Sequence, residues 1–124
     1  MKILFITLEQ SGKEILKTIL NNNFFINNHN LINTFGLNDN YLNIKDLTNI
    51  DIKPLMGISE VFINLFYLYK LRKNINVLIK SNNFTHIFFI DSFDFTKFYL
   101  KKFQKKKNKL LSNCRPICIY LEKK

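Results

Sequence analysis

Short, nearly continuous apolar runs recur along this chain: "KILFIT" at residues 2–7, Leu31 to Phe35, "HIFFIDS" at residues 86–92 and "PICIYL" at residues 116–121. A strand with one face in water alternates apolar and polar side chains, whereas a strand covered on both faces reads as an unbroken apolar run. Cover on both faces requires helices on both sides of the sheet. Helical stripes do lie between several of the runs, so the expected fold is α/β: a Rossmann-like parallel sheet with flanking helices and right-handed crossovers.

The stripes can be read individually. After the first run, Ile15, Leu16, Ile19 and Leu20 recur at helical spacing, and Ser11 and Glu14 stand three apart, as in a capping box. From Ile58 to about Lys80 a longer helix is expected, with Val61, Leu65, Leu68, Ile75 and Ile79 as its stripe and Ser59 as its N-cap. Its first half is apolar on nearly every face, since Phe62, Ile63, Phe66, Tyr67 and Tyr69 fill the gaps; Lys70, Arg72 and Lys73 follow directly. A third helix is expected from about Phe93, presenting Phe95, Phe98, Tyr99 and Phe103 on one face. Gly36 punctuates the second run, and the polar stretch from Leu37 to Pro54 reads as loop with one short strand or helical turn. No internal repeat or separate linker is visible.

The 124 residues fit one domain spanning residues 1–124, not two, and 47% hydrophobic content with 15% aromatics is enough to build a core. The formal charge of +10, from 19 Lys and Arg against 9 Asp and Glu, favours anionic partners. Lys, Asn, Ile and Phe share A/T-rich codons, however, so single lysines read first as solvated surface. Cys114 and Cys118 have no second pair and no clustered histidines, which excludes a zinc motif and points to reduced, structural thiols. No metal or other cofactor is expected. The first run turns polar without a signal-peptide cleavage site, and the longest apolar stretch, interrupted by Asn64 and Lys70, is too short to span a bilayer. A cytoplasmic protein is expected.

Ligands of open parallel sheets bind beyond the carboxyl ends of the strands. Two loops carry weight on that ground: "LEQSGK" after the first run and "DSFDF" after the run ending at Ile90. Asp91 stands at the sheet crest, where a carboxylate serves as a general base or as the cap of the next helix; both readings stay open. "QSGK" has one glycine where a phosphate loop requires two at fixed spacing, so it is not assigned a nucleotide. His29 and His86 lack spaced partners and are expected to bond locally.

Taken in order, "LMGISEVF", the helix carrying "LYKLRKNI" and then "THIFFIDSFDF" resemble lipid-A-disaccharide synthase, whose family shows M-G-F-x-E-V, a basic L-x-x-L-R-R helix and D-V-F-I-G-I-D-A-P-D-F-N. "KILFITLEQSGKE" is similar to that family's opening strand and G-E-x-S-G-D loop, and "RPICIY" to its P-x-x-H-Y strand. Departures fall at Leu8, Lys13, Phe93, Thr96 and Ile119.

The resemblance covers essentially this whole chain and the amino-terminal part of the family. It implies the acceptor-side half of a GT-B glycosyltransferase, with the carboxyl-terminal UDP-sugar domain absent from this sequence. The implied reaction joins UDP-2,3-diacylglucosamine to 2,3-diacylglucosamine 1-phosphate, giving the lipid A disaccharide 1-phosphate and UDP without a metal. Asp91 would be the base acting on the acceptor's 6-hydroxyl, and Ser11, Gly12, Met56, Gly57, Glu60 and Asp94 would bind substrate. Implied partners are the acylated glucosamine phosphate acceptor, an anionic surface of the inner membrane met peripherally, and a separately encoded donor domain. The isolated chain is then expected to be inactive alone, as half of a split enzyme or a relic. The alternative is a non-catalytic basic module for acidic lipid or nucleic acid; against nucleic acid, the aromatics fall in helical stripes and buried strands, not on a stacking face.

Overall fold

Parallel strands form the middle of the fold because their apolar runs are covered on both sides. The computed structural model of the chain describes residues 2–52, 65–91, 110–111 and 120–122. Met56, Gly57, Glu60 and Asp94, the helix expected from Phe93, and Cys114 and Cys118 lie outside the described residues. The described elements are β1 (Ile3–Thr7), α1 (Gln10–Leu20), α2 (Asn23–Asn27), a single 3-10 turn (His29–Leu31), β2 (Ile32–Phe35), β3 (Lys45–Asp46), α3 (Leu65–Ser81), β4 (His86–Ile90), β5 (Leu110–Leu111) and β6 (Tyr120–Glu122).

The sheet order is β3-β2-β1-β4-β6-β5. β3, β2, β1 and β4 run parallel, the arrangement expected from the apolar runs. β6 pairs antiparallel to β4, and β5 antiparallel to β6. The run at residues 116–121 was expected to supply another parallel strand; the strand described there is Tyr120–Glu122 and its direction is reversed. The reason lies in connection length. The stretch between β5 and β6 is shorter than the dozen or so residues a parallel crossover needs, so the two close as an antiparallel pair.

Successive β1 side chains go to opposite layers. Ile3 and Phe5 join Leu16 and Leu20 of α1, with Ile32, Leu37, Ile44 and Ile90. Leu4, Ile6 and Leu8 join Leu71, Ile75 and Ile79 of α3, with Phe35, Phe84, Ile87 and Phe89. Phe5 stacks on Phe88 of β4 with ring centroids 5.1 Å apart, and Phe25 of α2 meets Phe5 edge-on at 5.7 Å. Each side chain of the two layers that is fully buried, such as Leu4, Ile6, Leu16 and Leu71, contributes about 1.5–3 kcal/mol of transfer free energy, so the two layers hold the sheet between them.

The buried stripe of α3 is shorter than its sequence suggests. Leu71, Ile75 and Ile79 are buried, but Leu65 is 56% exposed. Leu65 stands at the amino end of the described helix, six residues and about 9 Å of helix rise before the first fully buried position, Leu71.

The amino ends of β1 and β4 are tied by Thr85, whose hydroxyl accepts from the Lys2 amide at 2.9 Å and donates to the Lys2 carbonyl at 3.0 Å. That tie supports the register in which Thr7 stands opposite Ile90. The residue after Ile90 therefore emerges beside the carboxyl end of β1. That residue is Asp91.

Candidate functional site

From β1 the chain builds outward through β2 to β3, then returns across α3 to place β4 on the other side of β1. The strand order thus reverses between β1 and β4. In open α/β sheets the loops leaving two such strands diverge and leave a crevice at their carboxyl ends. Here those loops carry Glu9 and the first turn of α1 on one side and Asp91 on the other.

α1 begins at Gln10 after an extended Glu9, which contributes no side-chain cap. The expected capping box at Ser11 and Glu14 is therefore not formed. Glu14 Oε1 accepts from Gln10 Nε2 at 3.3 Å, and the Ser11 hydroxyl leaves its own helix to donate to Asp91 Oδ2. A hydrogen bond to a carboxylate is stronger than one to a backbone amide, which accounts for the choice.

Gly12 explains how α1 comes so close. It is buried, and a Cβ added there would stand 2.3 Å from Thr7 Oγ1, 3.0 Å from the Ile90 carbonyl oxygen and 3.2 Å from Asp91 Cβ. Only a residue without a side chain lets the first turn rest on the ends of both strands. Asp91 takes up a left-handed backbone conformation, φ +48°, a region that Asp and Asn enter more readily than most residues.

The same placement argues against a phosphate at "QSGK". The first turn of α1 has no acidic residue of its own, and the positive end of a helix favours a negative charge. Asp91, the residue after β4, brings a carboxylate against that first turn through the Ser11 hydroxyl, a charge that disfavours a second anion beside it.

Of the candidates read from the sequence, Ser11, Gly12 and Asp91 are brought together. Two further residues frame the site: Thr7, which was not singled out, and Gly36, which was read only as the end of the second run. Thr7 is fully buried at the end of β1, its hydroxyl donating to the Glu9 carbonyl at 3.4 Å. Gly36, at φ +109°, packs its Cα over the Thr7 carbonyl while its amide donates to Thr48 Oγ1 at 2.7 Å. The sequence signal for both was the break in an apolar run, which marks a strand end but not what touches it.

A second carboxylate, Asp46, ends β3. Its Oδ1 accepts from the Thr34 hydroxyl and its Oδ2 from the Asn38 amide, each at 2.9 Å. Both oxygens serve the β2–β3 connection. His29 and His86 bond locally, Nδ1 to the Ile26 carbonyl at 3.1 Å and Nδ1 to Thr85 Oγ1 at 2.8 Å. Among the described residues no cluster of three or more His, Cys, Asp or Glu could hold a metal ion, and no helix is long and apolar enough to cross a membrane.

Fold and crevice together define a Rossmann-like α/β domain with a hydroxyl and a carboxylate paired at its switch point. A family model described as lipid-A-disaccharide synthetase matches residues 3–113, a span that contains both strands and both crevice loops. The chain belongs to the lipid-A-disaccharide synthetase family, glycosyltransferases of lipid A biosynthesis. Neither the comparison with curated proteins nor that with solved structures finds a match.

Proposed function

We propose that this chain forms the acceptor side of a lipid-A-disaccharide synthase-like glycosyltransferase, with the β1/β4 crevice as the acceptor site. The acceptor is 2,3-diacylglucosamine 1-phosphate. Asp91 accepts the proton of its 6-hydroxyl as that oxygen forms a bond to the anomeric carbon of UDP-2,3-diacylglucosamine; the bond from that carbon to the UDP oxygen breaks, and UDP leaves. The UDP-sugar is delivered by a second domain of the GT-B kind. The observation that carries this reading is the placement of Asp91, hydrogen-bonded by Ser11, at the switch point of the sheet in a chain of this family.

The acceptor is an amphiphile, and α3 has the surface to meet the membrane it comes from. Leu65, Phe66 and Tyr69 are exposed there, at 56%, 79% and 65%, with Lys70 and Lys73 exposed immediately after them. Apolar side chains beside lysines, on a chain of net charge +10, suit the surface of an anionic bilayer. The working location is then the cytoplasmic face of the inner membrane, held peripherally.

Calorimetric titration of the purified protein with detergent-dispersed 2,3-diacylglucosamine 1-phosphate tests the reading. The D91N variant keeps the backbone conformation, since Asn tolerates positive φ, and is expected to bind about tenfold more weakly, the loss of one charge-assisted hydrogen bond. Undiminished binding by D91N would remove Asp91 from the site. Salt-sensitive binding of acidic vesicles or nucleic acid, with no acceptor binding at all, would favour a non-catalytic basic module.

A further inference from the structure

The two oxygens of Asp91 are not equivalent. Oδ2 accepts the Ser11 hydroxyl; Oδ1 has no partner among the described residues. An aspartate carboxyl group turns easily about its last torsion, whose energy wells are broad, so a carboxylate standing alone in a crevice presents its oxygens over a wide range of directions. A donor fixed on a neighbouring element removes that freedom.

Ser11 is such a donor because its helix cannot slide. The next residue, Gly12, is wedged against Thr7 and the ends of β1 and β4, with room for no Cβ at 2.3 Å from Thr7 Oγ1. The spacing from the Gly12 Cβ position to Asp91 Cβ, 3.2 Å, shows independently of the hydrogen bond that the first turn of α1 abuts Asp91. The φ of +48° at Asp91 fixes the direction in which its side chain leaves the backbone. Backbone and hydroxyl together hold Oδ2 against α1 and leave Oδ1 without a partner among the described residues.

We propose that Ser11 is a positioning residue for Asp91: its hydroxyl holds Oδ2 so that Oδ1 is presented to the acceptor's hydroxyl. Ser11 then acts on the substrate through the carboxylate and not by touching the sugar. The proposal rests on the crevice being the acceptor site.

A double-mutant cycle over S11A, D91N and S11A/D91N, with S11T as the conservative control, tests it through two readouts on the intact protein. The urea midpoint reads the Ser11–Asp91 bond without any ligand; affinity for 2,3-diacylglucosamine 1-phosphate reads its use. S11A is expected to lower the urea midpoint and to weaken acceptor binding about three- to tenfold, S11T to retain most of both, and S11A to change affinity by less than about twofold once D91N is present. If S11A weakens binding equally in both backgrounds, Ser11 meets the acceptor directly and the proposal falls. If S11A lowers the midpoint but leaves affinity unchanged, the bond is only structural and the proposal falls. Failure of the wild-type protein to bind the acceptor would defeat the acceptor-site reading itself, and this proposal with it.

Discussion

Gly36 lies so close over Thr7 that a Cβ at Gly36 would stand 1.7 Å from the Thr7 carbonyl oxygen. Gly12 approaches the same residue from the helix, against its hydroxyl. The last residue of β1 is therefore enclosed by two backbones that pack without side chains. This close packing supports the position of the α1 first turn, and with it the Ser11 hydroxyl beside Asp91.

Replacing Gly36 is expected to be among the most damaging single changes in the described chain. Alanine at φ +109° is strained, and its Cβ would meet backbone that cannot rotate aside. G36A should lose at least about 2 kcal/mol in urea unfolding. A loss under about 0.5 kcal/mol would mean that β1 and the β2 loop do not pack as described.

G12A sets two effects against each other. Alanine in a helix is about 1 kcal/mol better than glycine, but its Cβ would overlap Thr7 Oγ1 and press on the Ile90 carbonyl. Overpacking of that kind costs about 1–3 kcal/mol, so the variant should be less stable than the parent. T7A removes the hydroxyl from the overlap. In that background G12A should cost at least about 1 kcal/mol less, a coupling that urea curves of the four proteins would measure. Additive costs would place the clash elsewhere.

The parallel sheet was legible in the sequence because burial on both faces leaves an unbroken apolar run, as at Ile3–Thr7 and His86–Ile90. The placement of Asp91 at the crest of the sheet was legible for a related reason: it directly follows such a run. Its hydrogen bond to Ser11 was not. Ser11 is 80 positions away, and the pairing depends on the register between β1 and β4, which local pattern does not encode. Ser11 looked like a helix cap because three-residue spacing to Glu14 suits one; a carboxylate supplied from another strand won the hydroxyl instead. The direction of β6 was hidden for the same kind of reason, since an apolar run reports burial and says nothing of orientation.

Two substitutions on α3 separate core from surface. Leu71 is fully buried between the helix and the sheet, and L71A should cost about 2–5 kcal/mol in urea unfolding. Phe66, 79% exposed, should be replaceable by serine within about 0.5 kcal/mol. F66S should nevertheless bind anionic lipid vesicles more weakly than the parent in a sedimentation assay, because an aromatic that contributes little to folding is free to contribute to membrane contact. Unchanged vesicle binding would remove this face of α3 from the proposed membrane surface.

Thr34 and Asp46 allow the value of a half-buried polar pair to be read by its asymmetry. The Thr34 side chain is fully buried in β2, and its hydroxyl donates to Asp46 Oδ1 at 2.9 Å. D46A leaves that hydroxyl without its carboxylate and releases the Asn38 amide as well, so it should cost about 1–3 kcal/mol. T34V keeps the β-branched shape that suits a strand and removes the hydroxyl. In the parent protein T34V should cost about 1 kcal/mol, since Asp46 loses one donor but keeps the other. In the D46A background the same change removes a buried donor that has lost its partner, and it should be neutral or stabilising. Urea unfolding of the four proteins measures the difference, and equal costs of T34V in both backgrounds would show that the pair contributes nothing beyond its separate members.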